Sequence, residues 1–129
     1  EPTISRWAAE RATAVDLVDI EANFNDMAAN IKNPEEFNRA DVLFHGAVLA
    51  ATHNVVIQQL SDAIGALQRT IFDYTFRTDD DHMKKTVAAH RELFDAIRRK
   101  NPAAAERASR KMVMETEHRA IVVIDKDGD

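Results

Sequence analysis

Asn33-Pro34-Glu35-Glu36-Phe37-Asn38-Arg39-Ala40-Asp41-Val42-Leu43-Phe44-His45-Gly46-Ala47-Val48-Leu49-Ala50-Ala51-Thr52-His53 reads as a single helix. Asn33 supplies a cap, Pro34 suits the first helical position, and Glu35 and Glu36 put acids in the first turn. Spacing places Phe37, Asp41, Phe44, His45, Val48 and Thr52 on one side of it. That side mixes large apolar groups with one carboxylate and one imidazole, an uncommon combination for a face that must be buried. Asn54 ends this helix by its tolerance of the left-handed conformation.

Helical signals continue in both directions. Upstream, Pro2 to Arg11 forms a first helix with Ile4, Trp7, Ala8 and Arg11 on one face. Thr13 caps a second, with Asp16 as its capping-box partner and Leu17, Ile20, Phe24 and Met27 or Ala28 as its buried stripe. It ends near Asn30 to Lys32. Downstream, a fourth helix is expected from Val55 to about Phe76. Its buried stripe is Val56, Leu60, Ala63, Ile64, Leu67, Ile71 and Tyr74 or Thr75. Arg77-Thr78-Asp79-Asp80-Asp81 is the clearest loop. A fifth helix follows to Lys100 with Met83, Val87, His90, Phe94 and Ile97 inward, and Asn101-Pro102 opens a sixth that reaches about Ile124. The last five residues read as a frayed tail.

Composition agrees with an all-α antiparallel bundle of about six helices. The 129 residues contain three Gly and three Pro, too few for the frequent turns of a β-rich chain. Hydrophobic residues make up 45% and charged residues 30%, a globular mixture forming one domain over 1–129. The formal charge of −5 argues against a nucleic-acid surface on this segment. The absence of Cys excludes disulfides and thiol catalysis. No apolar run approaches the roughly 20 residues of a membrane span. Without an initiator Met, the chain reads as a piece of a longer one.

Chemistry concentrates in Asp41-x-x-x-His45, which sets a carboxylate and an imidazole one turn apart on the same face. His90 lies on the apolar stripe of the fifth helix, where an imidazole needs a partner. Were the third and fifth helices to face each other, two His and one carboxylate would suit Zn²⁺, Ni²⁺, Mn²⁺ or Fe²⁺. The bland alternative is a hydrogen-bonded Asp–His pair and a satisfied core histidine. Glu115-x-x-His118 is a single copy of an element that di-iron bundles use in pairs. It reads as a solvated face, His53 as a partner of the helix dipole, and His82 as solvated.

Five stretches in order resemble one known family. They are Glu1-Pro2 with Ala8-Ala9-Glu10-Arg11-Ala12-Thr13, Ala40-Asp41-Val42-Leu43-Phe44-His45, Ala51-Thr52-His53-Asn54, His90-Arg91-Glu92-Leu93-Phe94-Asp95-Ala96-Ile97, and Asn101-Pro102-Ala103-Ala104-Ala105. Together they resemble the FCD domain, the C-terminal ligand-binding domain of FadR-type GntR transcriptional regulators. The resemblance implies a cytoplasmic homodimer whose bundle binds a small carboxylate effector. It also implies a winged-helix DNA-binding domain, absent from these residues, through which DNA is contacted. In many members a divalent metal (Zn, Ni or Mn) is held by one Asp and three His. Asp41, His45 and His90 match three of those ligands. The fourth position falls on Met112, a departure, because a thioether is a poor ligand for such ions.

The function expected is therefore sensing, not catalysis. A carboxylate enters the bundle core and meets the metal, with Arg69, Asn54, Thr52 and Met112 as further ligand-binding candidates from their helical faces. Two alternatives stand beside it: a metal-free regulator domain in which Met112 lines a drier pocket, and a mononuclear 2-His-1-carboxylate enzyme.

Overall fold

The computed structural model describes residues 2–61, 63, 65–67, 70 and 80–127, and their side chains except those of 80 and 116–127. They form helices α1 (Pro2–Arg11), α2 (Ala14–Ala29), α3 (Pro34–Ala51), α4 (Val55–Gln59), α5 (Asp80–Arg98) and α6 (Pro102–Asp127). Among the described residues there is no strand, so the architecture is all-α.

Side-chain caps start four of these helices. Thr13 Oγ1 accepts the Asp16 N–H at 3.2 Å while Asp16 Oδ2 accepts the Thr13 N–H at 2.8 Å, a complete reciprocal box on α2. Asn33 accepts from the Glu36 N–H with Pro34 beginning α3, and Asn101 accepts from the Ala104 N–H at α6. Asn54 differs from its expected role. It caps α4, accepting the Ile57 N–H at 3.2 Å with an extended backbone. The left-handed residue after α3 is His53, with φ of 52°. Lys100 takes the same conformation after α5 (φ 55°). There the Asn101 N–H reaches the Ala96 carbonyl and the Lys100 N–H that of Ile97, closing a Schellman turn.

Three contacts gather the turns at one end of the molecule. Arg11 donates to the Thr52 carbonyl, the Lys100 ammonium donates to the Ala12 carbonyl, and His53 meets Asp16 at 2.7 Å. The C-terminal ends of α1, α3 and α5 therefore lie together, and α2 and α6 run the opposite way. This is the antiparallel bundle expected. Helices α3 and α5 are each flanked by α1 and α2, while α6 packs outside on α1 and α5.

The core follows the helical stripes closely. Ile20, Phe24 and Met27 of α2, Phe37, Phe44 and Val48 of α3, and Met83, Phe94 and Ile97 of α5 are all buried. The first helix departs from expectation. Its buried face is Ser5, Ala8 and Ala9, continued by Ala12, whereas Ile4 and Trp7 are half-buried and Arg11 is exposed above the Trp7 ring. Small residues let α1 lie close against α6, which offers Ala105 and Ala108 in return.

The fourth stripe is a second correction. Val56 and Leu60, expected inside, are 66% and 52% exposed, and Leu67 is exposed too. Ile57 is the buried residue of α4, the short helix that Asn54 caps and that packs against α3. Ile64, Ile71, Tyr74 and Thr75 lie outside the described residues. The expected tail is shorter, since α6 is helical to Asp127.

Candidate metal centre

Helices α3 and α5 stand across the bundle from one another. Among the described residues, no Cα of one comes within 8 Å of a Cα of the other. They meet through side chains alone. Asp41 Oδ1 lies 2.8 Å from His90 Nε2 and 3.2 Å from His45 Nε2, and the two Nε2 atoms are 3.1 Å apart. The three form a small triangle of lone-pair atoms. His90 is 4% exposed as a residue, and the side chains of Asp41 and His45 are mostly covered.

Local structure explains each placement. Asp41 and His45 sit one turn apart on α3, so a single rigid helix aims both. His90 Nδ1 donates to the Thr86 carbonyl at 2.8 Å, which sets the ring's rotation and directs Nε2 at the triangle. Phe44 packs edge-on against both imidazoles, with ring centroids 5.3 Å from His45 and 5.1 Å from His90. It walls the site from below and gives it an apolar side.

The electrostatics of the triangle demand a positive charge. An ionised carboxylate only accepts hydrogen bonds. With Nδ1 already donating, a neutral His90 would point a second lone pair at Asp41. Either an additional proton on the imidazole or a cation between the three atoms removes that conflict. Asp41 is held ionised accordingly. Burial would raise its carboxyl, but the charge of His90 and hydrogen bonds from both imidazoles drive it far below the ordinary carboxylate range.

The donor set fits a divalent ion. In a tetrahedral site with metal–ligand bonds of about 2.0–2.1 Å, neighbouring ligand atoms stand about 3.3 Å apart. The observed edges of 2.8, 3.1 and 3.2 Å need to open by about half an ångström at most. One carboxylate and two imidazoles are borderline donors of the kind Zn²⁺ prefers, and a Thr86-anchored His90 is the usual outer support of such a ligand.

Two of the remaining sequence candidates are engaged in the α3–α4 turn. Thr52 is buried, but its Oγ1 donates to the Leu49 carbonyl and accepts the Asn54 N–H, so its hydroxyl serves the α3–α4 turn. Asn54 is engaged as the α4 cap. Met112 is half-buried against the core. Arg69 lies outside the described residues. Glu115 is exposed, and the side chain of His118 is not among those described. His53, read as a dipole partner, lies just past the C-terminus of α3 and meets Asp16 at the start of α2.

One polar group escaped the reading of the sequence. The Oδ1 of Asn38 is buried and has no hydrogen-bond partner. Asn38 precedes Asp41 by three residues and His45 by seven, spacings that set it on the same side of α3 as the pair. A polar residue continuing a mixed stripe was the signal available.

Comparison with known proteins places the site in a family. Residues 1–115 match the FCD domain. The chain belongs to the FCD domain family. The domain is 49% identical over 119 residues to the galactonate operon transcriptional repressor of Escherichia coli (strain K12), covering 92% of this chain and 52% of that protein. Among solved structures, Streptococcus agalactiae GntR superposes with a TM-score of 0.68 at 27% identity, over 95% of this chain and 52% of that one. The FCD domain thus spans about half the length of both relatives. Its relatives are regulators of transcription, and the FCD domain is a regulatory domain rather than an enzyme. Among the described residues, no helix is long and apolar enough to cross a membrane.

Proposed function

We propose that this chain senses a small hydroxylated carboxylic acid, a sugar acid of the galactonate kind, and controls DNA binding by a winged-helix domain outside these residues. The observation that carries the reading is the triangle of Asp41, His45 and His90, whose ligand atoms converge within 4.8 Å of one another. The name of the Escherichia coli relative supports the class of acid.

Asp41, His45 and His90 would hold a divalent ion such as Zn²⁺, Ni²⁺ or Mn²⁺. When bound, the ion supplies a Lewis-acid anchor for the effector's carboxylate. The protein's own part is orientation and exclusion of water. Thr86 fixes the His90 ring, α3 fixes the other two groups, and Phe44 keeps one side dry. Since α3 and α5 touch through these side chains, a guest that draws them together or apart acts on the relative placement of two helices. Such a guest shifts the regulator only by its unequal affinity for the two placements. Exposed Val55, Val56 and Leu60 offer an apolar surface that supports pairing of two copies. The cytoplasm is the compartment this role requires.

A metal-free version is supported by Met112, the residue that the family resemblance sets at the fourth ligand position. In it, a doubly protonated His90 would neutralise Asp41 and contact the acid directly. One titration separates the two. D-galactonate is added to the chain with one equivalent of Zn²⁺ and again after chelation. Saturable binding lost on chelation fits the metal-anchored site. Equal binding in both arms fits the metal-free one, and binding in neither refutes the sensing role.

A further inference from the structure

The unpartnered amide oxygen of Asn38 lies on the stripe of α3 that carries Asp41 and His45. A helical wheel turns Asn38 only about 20° from His45 and 60° from Asp41, and it sits about 4.5 Å along the axis from Asp41. Three residues at i, i+3 and i+7 thus point into one sector of the bundle. Two of them belong to the triangle. The third holds an acceptor that water does not reach and no protein donor satisfies.

A buried acceptor without a donor is costly, and native chains rarely retain one without use. Leu or Met would fill the same volume without the cost. The neighbouring turns of α3 show that the helix accepts apolar residues readily: Phe37, Ala40 and Phe44 are all buried. An amide is kept here, one turn from the carboxylate of the triangle and on the side of α3 that faces the bundle interior.

We infer that Asn38 is a specificity-determining residue of the effector site, accepting a hydrogen bond from a hydroxyl of the bound acid. This rests on the sensing role proposed above and deepens it. The division of labour follows from geometry. The triangle takes the carboxylate end of the guest. Asn38 reads the carbon chain one helical turn away, a span that suits a hydroxyl two or three carbons from the carboxylate. An acid with no hydroxyl would leave the amide as unsatisfied as it is in the free chain. A polar pocket atom left unpaired by the wrong ligand is an efficient means of discrimination.

Asn38→Leu tests this, with Zn²⁺, D-galactonate and hexanoate as calorimetric probes against the Zn²⁺-loaded chain. The variant is expected to bind Zn²⁺ within about twofold of the parent, since it removes none of the three ligands. It should bind D-galactonate at least about tenfold more weakly and lose the preference for D-galactonate over hexanoate. Its melting temperature without effector should equal or exceed the parent's, which excludes a folding defect. Asn38→Asp, which keeps an acceptor at the same place, should retain the preference for the hydroxylated acid. Unchanged D-galactonate affinity in Asn38→Leu would overturn the role of Asn38 while leaving the sensing role intact. Failure of the parent to bind D-galactonate at all would overturn both.

Discussion

Nε2 of His90 stands 2.8 Å from Oδ1 of Asp41, joining two helices whose backbones do not otherwise meet. The contact is chemically incomplete without a positive charge. Both groups are largely covered, so removing one leaves the other without its partner in a poorly solvated place. Replacing Asp41 with Ala strands two imidazoles in the bundle centre. Urea unfolding of the chelator-treated chain should show Asp41→Ala less stable by about 3 kcal/mol. A change below about 1 kcal/mol would mean that the pair contributes little.

Phe44 is fully buried and touches both imidazole rings. Phe44→Ala should cost about 3–5 kcal/mol in the same assay, from lost transfer energy and the cavity left behind. It should also weaken Zn²⁺ binding, because neither ring keeps its wall. Ile20→Ala on α2, buried but without a ring contact to the site, provides the comparison. Its expected signature is a loss of stability with Zn²⁺ affinity preserved, and equal affinity in both variants would show that Phe44 only packs.

The Asp16–His53 contact gives the fold an acid-sensitive tie between the start of α2 and the α3–α4 turn. Burial opposes ionisation of Asp16, but the Thr13 N–H, the His53 ring and the Thr13 hydroxyl outweigh it and hold the carboxyl below its ordinary value of 3.8. A carboxyl lowered by folding stabilises above its unfolded pKa and loses that contribution as pH falls through the folded value. Chemical denaturation of the wild type should thus show a decline below about pH 4 that Asp16→Asn reduces. Parallel pH curves for the two proteins would remove Asp16 from the account.

Much of this was readable from residue types. Asn33-Pro34 and Asn101-Pro102 mark helix starts because their chemistry is local, and the structure agrees at both. Asp41 and His45 share a face by helical geometry alone. Bringing His90 to them depends on α3 and α5 lying across the bundle from one another, which no local pattern encodes; the family resemblance carried that step. Local reasoning failed where two residues compete for one turn. His53 and Asn54 both suit the end of α3, and the side chain of Asn54 is worth more as the cap of α4. It failed again on α1, where apolar size pointed to Ile4 and Trp7. Close approach to α6 selects the alanines instead. The α4 stripe misled because an apolar face says that something covers it, not that this chain does.

Ala9 of α1 has no exposed surface, on a helix that packs against α3, α5 and α6. Ala9→Leu should overpack it and cost about 1–3 kcal/mol, read as a lowered melting temperature with Zn²⁺ binding retained. A neutral or stabilising result would show that the packing around α1 is looser than described.

The central claim is that three side chains from α3 and α5 hold one divalent ion. Calorimetric titration of Zn²⁺ into the chelator-stripped chain, repeated with His90→Ala, tests it most directly. The account predicts one equivalent bound by the parent with a dissociation constant below about 1 μM, weakened by about 100-fold or more in the variant. Zn²⁺ binding that is absent from the parent, or indifferent to the loss of His90, would contradict it.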